Sequence, residues 1–470
     1  SGWAPMQVFV THYDDTRAVQ LLVLIMLLLV GLARMLVKPA LPARLPAWTA
    51  IVLMSISIIG LISATRSPHP LYGYIELALF TSLGLTALFV RAAVSADPSD
   101  ELRRRLLIVL ALGGAFLGFR LFFELIAALL TQNPRGLIWS WLPFLQQRYF
   151  AKAAGWSLPL IWLLPQLMPS RRKPLLIISA IASIMIAAQL IGTGSRGALL
   201  GLVLSIVVAA ALFRRPGRAY ASWMLASLVI GFLLWQAIEI WLGHSTSGRI
   251  ASTSISGRGP VYAALLADLR SAPWLGIGPM QFAALGRHPD LNIAGPHSMP
   301  LQIAAEWGLP VLILIVALAA YWGLRYAAQI RTGAGDDRTS ISHVGIDVAL
   351  FAALLLSAVH SLVANVINEP ISQMVAALLI GLAWPVRLAA QPAPRRASSV
   401  ISAALMIGCL LALVMVLRLG YPCVRWSAEV VQVPAPDGLV YPRLWTQGLI
   451  PYSKTCQISD QRTDSTTERP

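Results

Sequence analysis

Charge is what this sequence has least of. Only 12% of its 470 residues are Asp, Glu, Lys or Arg, and 57% are hydrophobic, whereas a soluble domain carries about 25% charged residues. That deficit excludes an ordinary soluble chain and predicts a polytopic membrane protein. Acidic residues are the scarcer sign, 20 against 36 basic, for a formal net charge of +16. Such a surplus raises nucleic acid as a partner. The Lys and Arg stand in short clusters between apolar runs, however, which is the pattern of cytoplasmic loops and not of a binding stripe. Nucleic-acid binding is set aside on that ground. Cysteine is rare as well, at three residues. Cys409 lies in the last apolar run and reads as packing. Cys423 and Cys456 fall in a polar tail, where a disulfide and two separate thiols both stay open.

Further absences narrow the chemistry. The long polar interval holds no DxD-like or HxxxH-like cluster, so neither a metal nor another cofactor is expected. There is no GxSxG elbow and no Ser-His-Asp set in a believable context. No solenoid-type repeat is present, and no low-complexity stretch outside the tail. No removable signal peptide is expected, because the first apolar run, near residues 18–37, is long enough to stay in the bilayer.

What the chain has in abundance is apolar runs. Runs of about 18 to 25 apolar residues meet the transmembrane criterion. They fall at roughly 18–37, 46–65, 72–93, 105–130, 153–169, 174–193, 197–213, 219–242, 310–328, 345–366, 370–389 and 398–419. The expected fold is an all-α polytopic integral membrane protein of about twelve transmembrane helices. It carries one large external loop, periplasmic or at the cell exterior, containing short amphipathic helices. The chain divides into residues 1–242 with about eight spans, the loop 243–309, residues 310–420 with about four spans, and a polar tail 421–470. Lys38 with Arg44, Arg103 to Arg105, Arg171 to Lys173 and Arg214 with Arg215 mark alternate loops as cytoplasmic. The loop 243–309 then faces outward, and with this count both termini do too. A connection of roughly 65 residues is far longer than usual, and such loops are usually functional or disordered.

Three motifs carry candidate chemistry. In IGTGSRGALLGL, residues 191–202, Ser195 is placed to cap a helix whose first turn holds Arg196. Unpaired N–H groups at a helix start, with a guanidinium beside them, make an anion site; the alternative is an interfacial arginine that sets helix depth. In SISGRGPVYAALLADLR, residues 254–270, Ser256 or Gly257 can cap and Pro260 suits the first turn. Val261, Leu265, Leu266 and Leu269 form an apolar stripe, predicting a helix that lies along the membrane. Arg258 stands at its start, as an anion ligand or as a solvated charge. In AGPHSMPLQIAAEWGLP, residues 294–310, His297 precedes a short helix that begins near Pro300 and is ended by Gly308. A helix start favours neutral imidazole, which suits a proton acceptor; the alternative is a His that hydrogen-bonds the loop. Glu306 sits in the last turn, but nine residues from His297 the two do not share a helical face.

Arg66, His69, Arg120, Glu124, Glu239, His360 and Glu369 are also expected in the outer halves of spans. Arg120 and Glu124, at i and i+4, can pair and so lower their cost in the membrane. Polar groups near the midplane, and matching broken helices in two repeats, would mark a transporter of glycans or lipid-linked glycans. Neither is seen, although transport stays the alternative of another class. Two arginines suited to a diphosphate and one histidine suited to a hydroxyl proton point to metal-free transfer of a group from a membrane-bound diphosphate to a hydroxyl.

GSRGALLGL, SGRGPVYAALLADLRSAPWLGIGPMQF and PHSMPLQIAAEWGLP together resemble the pattern shared by bacterial O-antigen ligases, O-antigen polymerases and related oligosaccharyltransferases. The likeness covers roughly residues 175–380. It implies a glycosyltransferase of the bacterial inner membrane with its active site facing the periplasm. The donor would be an undecaprenyl diphosphate-linked glycan. The acceptor would be lipid A–core for a ligase, or a second lipid-linked glycan for a polymerase, with membrane lipids around the protein. By this resemblance Arg196 and Arg258 contact the donor diphosphate and His297 acts on the acceptor hydroxyl, with inversion at the sugar. Family members often carry Asn after the histidine, where this chain has Ser298. The ligase is the favoured reading of the two.

Overall fold

The computed structural model describes residues 12–37, 46–97, 99–132, 147–242, 258–284, 297–333 and 341–383, together with Ile407, Leu410 and Val414. All regular elements among them are helices. The helices α1 (His12–Val37), α2 (Ala47–Arg66), α3 (Pro70–Ser95) and α4 (Glu101–Leu130) come first. They are followed by α5 (Gln147–Ile161), α6 (Leu164–Leu167), a 3₁₀ turn Pro169–Arg171 and α7 (Arg172–Gly192). Then come α8 (Arg196–Leu212), α9 (Arg214–Leu242), α10 (Gly259–Ser271), α11 (Gln281–Ala284) and α12 (Met299–Trp307). The last are α13 (Leu309–Gly333), α14 (Ile341–Ser361), a 3₁₀ turn Val366–Asn368 and α15 (Pro370–Ala383).

Among the described residues, eight helices are long and apolar enough to cross a membrane: α1 to α4, α7, α9, α13 and α14. This is a multi-pass membrane protein. The expected count of about twelve is not reproduced by that criterion. At about 1.5 Å per residue, the 17 residues of α8 reach roughly 25 Å, short of a hydrocarbon core of about 30 Å. The 14 residues of α15 reach less. The run expected at 153–169 is broken, because α5 starts earlier, carries Pro159, and stops at Ile161. Proline lacks the N–H that the helix ladder needs and its ring crowds the preceding turn, and Pro165 then opens the four-residue α6. The run expected at 398–419 and the tail 421–470, with Cys423 and Cys456, lie outside the described residues.

The chain forms two compact units that cut across chain order. One comprises Ser1–Thr86, Ile255–Leu318 and Gln391–Pro470, and the other Ala87–Ser254 and Ala319–Ala390. The second unit buries α5 on nearly every side; Phe150, Ala151, Ala154, Trp156, Leu158, Leu160 and Ile161 are all core. A helix apolar all round belongs inside a bundle. Small residues let its neighbours close in: a Cβ on Gly118 would stand 2.5 Å from the Ala182 carbonyl oxygen, and one on Gly201 2.5 Å from that of Leu356. Such close backbone approach is the usual device of helix packing in membranes.

In the first unit, α10 and α12 share a small core of Val261, Ala264, Leu265, Ile277, Phe282 and Ala305. The stripe expected on α10 is therefore corrected. Its buried face runs Val261, Ala264, Leu265 and Asp268, while Leu266 is exposed. Spacing of i, i+3, i+4 and i+7 defines one face, and the packing selected a register that includes an aspartate.

Candidate active site

Around the polar interval, the backbone from Pro273 to Gly278 runs beside that from Ala305 to Leu309. Ile277 N–H donates to the Ala305 carbonyl at 2.9 Å, Gly278 N–H to Glu306 at 3.0 Å, and Leu309 N–H to Pro273 at 2.9 Å. This pairing needs glycine. Gly308 has φ 90 and ψ 161, a region that only glycine occupies readily. The pair of segments is anchored to α2 and α3. The Ser63 hydroxyl donates to the Leu275 carbonyl at 2.5 Å. Gln281 both accepts the His69 N–H at 3.3 Å and donates to the His69 carbonyl at 2.9 Å. Trp307 lies over Gly60 and meets Phe80 edge-on at 6.1 Å.

On this frame, α12 begins as the sequence predicts. Ser298 is its N-cap residue in extended conformation, Pro300 falls in the first turn and Gly308 ends it. The Ser298 side chain is buried and makes no capping hydrogen bond. His297, one residue earlier, is half-buried and takes a left-handed conformation with φ 54. Non-glycine residues there are uncommon, and histidine is among those enriched. Such strained residues cluster at active sites. Glu306 is wholly buried. Its carboxylate accepts the Phe282 backbone N–H at 3.0 Å and the Gln302 side-chain amide at 3.2 Å. It therefore ties α12 to the start of α11, a structural role that spacing alone did not reveal.

Arg258 is the N-cap residue of α10, with Pro260 in the first turn; its carbonyl accepts the Tyr262 N–H at 2.9 Å. The expected caps Ser256 and Gly257 lie outside the described residues. Arg258 and His297 thus head two helices that share one core in the first unit. Arg196 belongs to the second unit and opens α8, after Gly194 with φ 60 and the N-cap residue Ser195. Its guanidinium-bearing residue is half-exposed, while Gly197 and Ala198 behind it are buried.

The i, i+4 pair expected in α4 forms: Arg120 Nε donates to Glu124 Oε1 at 2.8 Å. Glu239 accepts Trp235 Nε1–H at 3.0 Å. Glu369 caps α15 by accepting the N–H groups of Ile371 at 3.2 Å and Ser372 at 2.8 Å. The sequence reading missed a second polar cluster. Arg103 pairs with Asp347, whose carboxylate also accepts the Tyr326 hydroxyl at 2.8 Å, beside a cavity of about 50 Å³ bordered by Arg91, Ser95 and Gln329. An aspartate inside an apolar run was the available signal.

The fold and these helix-start groups define a multi-pass helical membrane protein with a polar platform set on its first unit. Comparison with known families makes this specific: residues 180–316 match the family model described as O-Antigen ligase. The matched region, which contains Arg196, Arg258 and His297, is similar to the O-antigen ligase family. No curated protein matches the chain.

Proposed function

We propose that this protein is an O-antigen ligase. It would transfer a glycan from undecaprenyl diphosphate to a sugar hydroxyl of lipid A–core, at the periplasmic face of the inner membrane. The observation that carries this reading is the position of Arg196 and Arg258 at helix starts within the matched region. The positive end of a helix and a guanidinium together favour a diphosphate. In the reaction the acceptor oxygen attacks the anomeric carbon, and the bond from that carbon to the phosphate oxygen breaks. The leaving diphosphate gathers charge, which the two arginines neutralise. The hydroxyl proton passes to His297, which stands just ahead of α12. Displacement from the face opposite the diphosphate inverts the anomeric centre. No step calls on a metal.

The test is transfer by the purified full-length protein from lipid-linked glycan, with lipid A–core and lipid-linked glycan offered separately and chelator present. Product on lipid A–core is expected. Product only as longer lipid-linked chains would make the enzyme a polymerase. No product with either acceptor, together with movement of the donor across vesicles, would replace transfer by transport.

A further inference from the structure

Arg196 depends on a turn of only a few residues, and that turn is fastened from a helix far away in sequence. Ser195 occupies the N-cap position of α8, yet its hydroxyl makes no capping hydrogen bond. It lies 3.4 Å from His360 Nε2, in the last turn of α14. His360 is 3% exposed. Its ring also backs the next residue but one, since a Cβ on Gly197 would stand 3.1 Å from His360 Cδ2. The two helices reach this contact because Gly201, one turn further along α8, lies against the Leu356 backbone, one turn before His360. The rest of the turn is held locally: Thr193 Oγ1 accepts the Ser195 N–H at 3.1 Å, and the Arg196 N–H bonds the Gly194 carbonyl at 3.0 Å.

We infer that His360 is a positioning residue: it holds the Ser195 hydroxyl and so fixes the turn that presents Arg196. Its effect on transfer rests on the function proposed above; its effect on the turn does not. A side chain that orients another group acts without touching the donor. Its loss therefore loosens the donor site without changing the acceptor site. The serine and the imidazole should behave as a unit, because removing either partner breaks the same contact.

The experiment uses His360→Phe, which keeps a ring against Gly197 but cannot bond Ser195, and Ser195→Ala, singly and combined in the full chain. His360→Gln restores a side chain that can donate or accept. In hydrogen exchange, the peptide covering residues 192–199 should exchange about five- to tenfold faster in each single variant and no faster in the double, the size of one neutral hydrogen bond. In transfer assays the KM for the lipid-linked donor should rise by a similar factor in both, with the acceptor KM unchanged, and His360→Gln should recover most of it. Unchanged exchange in His360→Phe, or single effects that multiply in the double variant, would overturn the inference. A matching rise in the acceptor KM would overturn it too. Altered exchange with no transfer by any protein, wild type included, would leave the fastening intact and remove the ligase reading instead.

Discussion

The Glu306 carboxylate accepts the backbone N–H of Phe282 at 3.0 Å from 24 residues away in the chain. With Gln302 on its other oxygen, it is the joint between α12 and the start of α11. Glu306→Ala leaves a buried N–H and a buried amide without that acceptor, a loss of about 1–3 kcal/mol for each unsatisfied group. Thermal unfolding in detergent should show a clear fall in midpoint, with transfer lost alongside. Glu306→Gln keeps one acceptor oxygen and should fall less. Unchanged stability in Glu306→Ala would show that the joint contributes nothing.

Gly308 should tolerate no side chain. Besides its φ of 90, an added Cβ would run into the Trp274 carbonyl group and the Leu275 nitrogen. Gly308→Ala is expected to cost at least the roughly 1–3 kcal/mol of a strained backbone residue. Yield of folded, monodisperse protein is the simplest readout, and wild-type yield would contradict the expectation.

For the proposed donor site, Arg196→Lys and Arg258→Lys keep the charge but lose the planar fork that matches phosphate oxygens. Each alanine variant should lower transfer by about 10²–10³-fold, the usual effect of removing one stabilising donor at a developing anion. The lysine variants should fall between wild type and alanine. His297→Ala should abolish turnover while leaving donor binding near normal. Steady-state kinetics and donor-binding measurements separate these outcomes.

Arg103 and Asp347 offer a stability test away from that site. Removing one partner of a buried pair strands the other, at a cost of about 3–5 kcal/mol when burial is complete. With 14% and 21% of these side chains exposed, the lower end is expected for Asp347→Ala. A double replacement by leucine should lose less than either single variant, which a double-mutant cycle on unfolding midpoints would read. Strictly additive losses would mean that the pair does not couple.

The residues that open and close helices were legible in the sequence. Pro300 and Gly308 bound α12, Ser195 and Arg196 start α8, and Arg120 reaches Glu124 within α4. Each depends only on local geometry: glycine and proline restrict the backbone, cap residues end the ladder, and i, i+4 side chains are neighbours wherever a helix forms. The membrane class was legible for a similar reason, since composition alone decides whether long runs are apolar.

The tertiary structure decided everything that needed a partner distant in sequence. An apolar run is equally satisfied by lipid or by protein, so apolarity did not show that α5 is buried and broken at Ile161. Nor did it show that α10 turns Asp268 inward and leaves Leu266 outside. A buried carboxylate is catalytic or structural according to what donates to it, and the Phe282 N–H that settles Glu306 comes from another segment. The contact between Ser195 and His360 spans 165 residues. Close packing at Gly197 and Gly201 accompanies the approach of those two helices.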